Sequence, residues 1–252
     1  MEYEYLARIY DHLMEEVDYE AWVNYIEHFI EKNNPIKNNQ ILELACGTGN
    51  ITVPLKQKGY KITAIDRSLE MLSQAQQKAA DLGLNIDFYQ QDMLNLEIQE
   101  RYNTILCLCD GVNYILDLKD LQSFFRKVFD LLREDGIFIF DISTYYKLKN
   151  ILGGNTYGED LGDLTYLWEN YFCEADETVE MDLTFFQLDQ VGLYKKHKEF
   201  HVQKAYRQHT LVSLLKEVGF ITLESYHELS FDKPKEDSHR IFFICRKPGR
   251  TR

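Results

Sequence analysis

The sequence predicts an α/β protein, a mainly parallel sheet flanked by helices, with an antiparallel β segment inserted late in the chain. Three observations carry this. From Gln40 to Asp141, apolar β-branched runs alternate with helix-compatible stretches, the pattern of parallel strands joined by helical crossovers. The first run, Ile41-Leu42-Glu43-Leu44, opens at once into Ala45-Cys46-Gly47-Thr48-Gly49-Asn50; a glycine loop at the carboxyl end of a strand is where open α/β sheets bind nucleotides. After Asp141 the alternation gives way to strand-like runs with short connections, which implies an antiparallel meander.

The first thirty residues read as helical: Tyr5, Ile9, Leu13 and Val17 recur at spacings of four, and Trp22, Ile26 and Phe29 continue beyond Asp18. A polar linker containing Pro35 spans residues 32–39. Strands are expected at 40–45, 61–65, 86–90, 103–109 and 136–141, with helices at about 51–58, 69–82 and 120–133 between them. Gly59, Gly83 and Gly136 stand where a helix stops or a strand begins. Residues 164–173, 178–190 and 193–206 read as the three strands of the insert. A helix over 209–218 ends at Gly219, and strands at 220–231 and 239–246 follow.

Bulk properties narrow the function. The chain has 252 residues, 45% of them apolar, with a formal net charge of −13. It can bury a full core. Nucleic-acid binding usually shows a basic stripe, and the only dense basic run here is Lys195-Lys196-His197-Lys198, so a nucleic-acid partner is disfavoured and a small molecule fits better. No apolar run reaches membrane-spanning length, and Met1-Glu2-Tyr3-Glu4 lacks the layout of a secretion signal, so a cytoplasmic location and no membrane partner are expected. The five cysteines, Cys46, Cys107, Cys109, Cys173 and Cys245, suit reduced, mostly buried thiols, and no metal site is visible.

Which nucleotide the loop binds is decided by its neighbours. A phosphate-binding P-loop needs a Lys-Ser/Thr pair after its glycines, and Asn50-Ile51 does not supply one. A dinucleotide fingerprint wants a small residue three positions after Gly49, where Thr52 stands. The third reading is S-adenosylmethionine. Glu43-Leu44-Ala45-Cys46-Gly47-Thr48-Gly49 resembles motif I of class I S-adenosylmethionine-dependent methyltransferases, with Ala45 in place of the first of three small positions. Asp66 ends the second strand, Arg67-Ser68 opens the next helix, and Gln91-Asp92-Met93 ends the third strand. Leu132 to Asp141 resembles the family's helix–turn–fifth-strand signature.

The resemblance implies a Rossmann-like, seven-stranded sheet of order 3-2-1-4-5-7-6 that binds S-adenosylmethionine. By its pattern Glu43, Ala45, Gly47 and Gly49 form the loop, Asp66 takes the ribose hydroxyls, Arg67 follows it, and Asp92 and Met93 meet the adenine. Met71 either covers one adenine face or fills the core. The resemblance covers 40–145 closely and 208–246 as the final helix and strand pair. Tyr10-Asp11-His12-Leu13-Met14, the insert, and Glu199 to Tyr206 extend it to a bacterial subgroup related to sugar-amine and glycine N-methyltransferases. The implied organisation is a helical lid over 1–38, a catalytic core over 39–145 and 207–248, and an insert over 146–206 that covers substrate or forms a dimer contact; monomer and homodimer both remain open.

Methyl transfer is an in-line displacement in which orientation supplies much of the rate, so no universal catalytic residue is expected. The end of the fourth strand, Cys107 to Tyr114, should face the methyl group. It lacks the Asn/Asp-Pro-Pro-aromatic signature of nucleobase-amine and glutamine methyltransferases. Cys109 has no preceding proline, so a buried thiol beside the cofactor is preferred to a nucleophile. Asp110 is expected either to orient the acceptor or to cap the following turn. His201, with Glu199 on the same strand face, is either a general base or part of a solvated polar face that also holds His197 and Gln203. Tyr10 either closes over the site or packs its helix. The reading is methyl transfer to a small molecule, amines slightly favoured. The alternatives are an RNA methyltransferase gripping phosphates through Lys195, Lys196, Lys198 and Lys204, and a non-catalytic cofactor-binding module.

Overall fold

Glycine, proline and capping signals punctuate the chain into alternating elements close to those expected. The computed structural model describes residues 5–33 and 39–249; Met1-Glu2-Tyr3-Glu4 and positions 34–38 of the polar linker lie outside the described residues. The N-terminal reading resolves into α1 (Leu6–Leu13) and α2 (Tyr19–Asn33). Then follow β1 (Gln40–Leu44), α3 (Thr52–Gln57), β2 (Lys61–Asp66), α4 (Leu69–Asp81), β3 (Asp87–Gln90) and β4 (Tyr102–Cys107). After β4 come α5 (Leu118–Leu131) and β5 (Leu132–Ser143). Two helices begin where a polar side chain satisfies orphan amides: the Ser68 hydroxyl accepts the Met71 N–H at 3.1 Å, and Asp117 accepts those of Lys119 and Asp120. Gly136 falls inside β5 rather than ahead of it. Asp135, at φ 61°, takes the left-handed position there.

The insert holds β6 (Thr156–Asp160), β7 (Leu164–Cys173), β8 (Thr178–Leu188) and β9 (Tyr194–Lys204). The strand β6 and a π-helical turn at Lys147–Leu152 have no counterpart in the sequence reading. Every residue of β6 is exposed, so it carries no apolar alternation to betray it. The chain closes with α6 (Gln208–Val218), β10 (Ile221–His227) and β11 (Arg240–Arg246).

The main sheet runs β10-β11-β5-β4-β1-β2-β3. Its first five strands pair in parallel, while β11 is antiparallel to both β5 and β10. This is the order 3-2-1-4-5-7-6 expected for the seven core strands. Strand order reverses between β1 and β4, so the chain leaves these neighbours in opposite directions and opens a crevice at their carboxyl ends. One face packs α5 and α6 through Phe124, Phe125, Phe138, Phe140 and Phe243; the other packs α2 through Trp22, Ile26 and Phe29 against Ile139 and Phe242. Burying each such ring contributes about 1.5–3 kcal/mol.

Two corrections to the sequence reading concern the pieces around the crevice. The helical stripe divides: Leu6 and Ile9, with Tyr5, Tyr10 and Leu13, pack on Leu164 and Phe185 of the insert, whereas Val17 joins the α2 core. The helix breaks between Met14 and Asp18 because its two halves serve different cores. On β9 the expected faces are inverted. Glu199, His201 and Gln203 point inward with 6%, 2% and 4% exposure, and Phe200 is 47% exposed. The insert sheet has the order β6-β7-β8-β9, with β9 outermost among the described strands. All five cysteines are free, with Cys46, Cys107 and Cys245 buried. Among the described residues no helix is long and apolar enough to cross a membrane, and no cluster has the make-up of a metal site.

Candidate active site

A cavity open to solvent at its mouth fills the crevice; its non-atom space, the open mouth included, is about 1070 Å³. The loop after β1 forms its floor. Gly47 takes φ 55° with nothing within 4 Å of where a Cβ would stand, so the backbone faces open space that a ligand can approach. Gly49 instead is a packing requirement: its Cβ would meet that of Ala75 on α4 at 3.1 Å. Ala45 shares the left-handed backbone at φ 55°.

Asp66 governs this loop. One carboxylate oxygen accepts the Gly47 N–H at 2.8 Å, and the other accepts that of Ser68 at 2.9 Å. Burial raises its pKa, opposed by the Ser68, Gly47 and Arg67 amides. Each oxygen keeps a second lone pair, a diol acceptor placed on the cavity wall. Met71 is 2% exposed and also lines the cavity. Asp92 and Met93 are on the rim, where Asp92 accepts the Leu94 N–H at 2.8 Å and shapes its own turn. Arg67 lines the rim as well, its carbonyl accepting from Gln90. Open backbone at Gly47, a paired-lone-pair acid, and apolar walls fit an adenosyl cofactor. Asp66 and Asp92 also give a cationic one a favourable field.

Glu43 is fully enclosed. Thr52 donates to it at 2.5 Å, yet burial pushes its carboxyl up to about 8. Since the folded-state value lies above the unfolded one, the native state binds the extra proton, and this group's contribution is complete below about pH 4.5 and lost as pH rises through about 8. A Glu43→Gln variant should therefore lose less stability than the parent between pH 6 and pH 9, as read from urea midpoints at the two values. A parallel decline in both proteins would contradict this.

The remaining candidates divide. Tyr10 and Cys109 line the cavity; Asp110 and His201 do not. Burial pushes both the Tyr10 phenol and the Cys109 thiol well up, so neither is anionic near neutrality. Cys109 and Asp110 occupy consecutive left-handed conformations, φ 55° and 56°, a strained corner beneath the cavity. The Asp110 side chain makes no turn-capping bond. It accepts from Arg240 at 2.7 Å and from Gln203 at 2.7 Å, while its N–H donates to Asp141 at 3.0 Å. Burial raises the Asp110 carboxyl, but Arg240, Lys147 and the Gln203 bond together hold it below the ordinary range. His201 is next to Glu199, at 3.3 Å, and its ring meets that of Tyr114 edge-on at 6.1 Å. The solvated-face expectation for His201 is thereby overturned, because the insert strand turns it toward the core.

Sequence reasoning passed over Tyr19, Asn50 and Tyr114, which all line the cavity. Burial lifts the Tyr19 phenol to about 12 even though its hydroxyl is bonded with Asn50 and Tyr10. Asn50 directly follows the loop glycine and Tyr114 closes the segment after the fourth strand, so both could have been found there; Tyr19 carries no local signal.

Comparison with known proteins agrees with this geometry. The family described as a methyltransferase domain matches residues 41–136. A protein of Geobacillus sp. named as a methyltransferase is 33% identical over 247 residues, covering 98% of this chain and 100% of the relative. A solved S-adenosylmethionine-dependent methyltransferase from Clostridium acetobutylicum superposes with a TM-score of 0.89 at 37% identity, covering 98% of this chain and 99% of that one. A glycine/sarcosine N-methyltransferase of Halorhodospira halochloris is 26% identical over 221 residues, which is 86% of this chain and 78% of the relative. The match holds from the glycine loop through the insert to the final strand, and the chain belongs to the class I S-adenosylmethionine-dependent methyltransferases.

Proposed function

We propose that this enzyme methylates a small-molecule acceptor, with an amine as the preferred nucleophile. The observation that carries the reading is the lining of the cavity. Beside Glu43, Asp66, Met71 and Asp92, which we assign to the cofactor, the same cavity is lined by Tyr10, Tyr19, Cys109 and Tyr114, which stand near enough to act on one another and which we assign to the acceptor.

When bound, S-adenosylmethionine supplies an electrophilic methyl carbon on a sulfonium. The chain's part is then alignment and exclusion of water. Among the described residues no carboxylate or imidazole lines the phenol-rich part, and burial keeps the Tyr10 and Tyr19 phenols and the Cys109 thiol protonated. An amine that arrives neutral needs no base there, whereas a hydroxyl does. Tyr10, Tyr19 and Tyr114 orient the acceptor, and His201 backs Tyr114 from the insert. Helix α1 and the insert it packs on act as the cover. The acceptors named for the glycine/sarcosine relative are amines, which supports the same choice.

The test is a panel of small primary and secondary amines, hydroxyl compounds and bulk tRNA, each incubated with enzyme and methyl donor. Products are read by mass spectrometry for the added methyl group. Turnover of amines alone is the expected result. Turnover confined to hydroxyl acceptors or to tRNA would overturn it.

A further inference from the structure

Helix α1 has no acid in its first turn and no side-chain cap of its own. Two carboxylates from elsewhere hold it. At its start, the Glu199 Oε1 of the insert accepts the backbone N–H groups of Tyr5 and Leu6 at 2.7 and 2.8 Å. Burial raises that carboxyl, but the His201 bond and the two amides bring it below the ordinary range. Toward its other end, Asp11 reaches the cofactor loop. It accepts from Thr48 at 2.7 Å and from Asn50 at 3.0 Å, and its second oxygen pairs with Lys78 of α4 at 2.8 Å.

Lys78 completes the ring, donating to Asn50 at 2.5 Å and to Thr48 at 3.3 Å. Thr48 lies between the two loop glycines, and both Thr48 and Asn50 line the cavity. Burial raises the Asp11 carboxyl, yet its bonds to Lys78, Thr48 and Asn50 leave it below the ordinary range. Tyr10, the residue next to Asp11, occupies the cavity wall. A helix of eight residues is too short to keep its shape unaided, so these two tethers fix where Tyr10 stands.

We propose that Asp11 is a positioning residue that clips α1 onto the glycine loop, so that cofactor can leave only when this clip opens. Glu199 keeps the start of the helix on the insert while the Asp11 end releases. The clip belongs to the closed state alone, so its loss raises the population of the open state without removing a contact made by the methyl donor itself. The proposal concerns the cofactor and stands whichever acceptor is used.

The experiment measures release of S-adenosylhomocysteine from the full chain by stopped-flow displacement, with hydrogen exchange of residues 6–13 followed alongside. In Asp11→Ala, dissociation should be about tenfold faster, the size expected when one charge-assisted hydrogen bond is lost from the closed state. Exchange in α1 should quicken in step. Glu15→Gln, on an exposed neighbouring acid, should match the parent. Asp11→Asn retains an acceptor but loses the ion pair with Lys78, and should fall between. In the parent, raising salt should speed release, because the Asp11 pair is partly exposed. Dissociation within twofold of the parent in Asp11→Ala, with an unchanged melting temperature, would overturn the proposal. If Asp11→Ala does not fold, salt-independent release in the parent together with unchanged release in Asp11→Asn would do so.

Discussion

Replacing Arg240 by methionine will destabilise the folded enzyme by about 3–5 kcal/mol, the cost of stranding buried charge. The guanidinium donates to Asp110 at 2.7 Å and to the fully buried Asp141, and it lies over the Trp22 ring at 5.2 Å. It thereby joins the start of β11, the ends of β4 and β5, and helix α2. Without it the fully buried Asp141 carboxylate faces that of the partly exposed Asp110, which keeps only Lys147 and Gln203 to offset its charge. Burial already raises Asp141 despite its cationic partner, and the Asp110 charge adds to that rise. Both acids must therefore shift upward in the variant, and its deficit shrinks as pH falls and they take up protons. Adding Asp110→Asn and Asp141→Asn to Arg240→Met should recover part of the loss, since neutral partners need no countercharge. Thermal unfolding at pH 5 and pH 8 checks both points. The single variant should drop by roughly 10 °C at the higher value, and a drop below about 2 °C would sink the idea that this cluster organises the site.

The second large effect concerns cofactor affinity. Asp66→Ala removes the acceptor for the Gly47 and Ser68 amides and the lone pairs offered to the ribose. Hydrogen bonds to a charged group contribute about 1.5–3 kcal/mol each, so the dissociation constant for S-adenosylhomocysteine should rise by about a hundredfold or more. Calorimetric titration reads it directly. The loss has two parts, because the loop also forfeits its shape. Asp66→Asn separates them: the amide oxygen still accepts one backbone N–H, so its deficit should be smaller than that of alanine. Affinities for both variants within a few-fold of the parent would place the ribose elsewhere.

The main sheet was legible because its determinants are local. An apolar run, a glycine turn and an amphipathic helix each declare themselves within about fifteen residues, and Glu43, Gly47, Asp66 and Asp92, each at or just after a strand end, all line the one cavity. What escaped was set by distant partners. The inward polar row of β9 reads as a wet face because its cover, the start of α1, lies more than 190 residues away. Asp110 stands at the expected strand end, but its carboxylate is claimed by Arg240 and Gln203, neither of which any local pattern marks. Tyr114 was in view within a segment already singled out, yet only its contact with His201 shows that insert and cavity share a wall. Periodicity reports which face of an element is apolar. It does not report which polar residues a remote segment will enclose.

One consequence of the insert's strand order remains. Among the described residues β9 is the outermost strand of its sheet, and an outermost strand is where another chain could add. The hazard is real here, with Leu193, Tyr194 and Phe200 exposed beside it. Lys195, Lys196 and Lys198 project from the same strand into solvent. Like charges brought into register repel, so a second β9 cannot zip onto the first without opposing three cations with three more. The basic run that the sequence offered as a grip for phosphate is thus also a row of like charges that a second β9 would have to oppose.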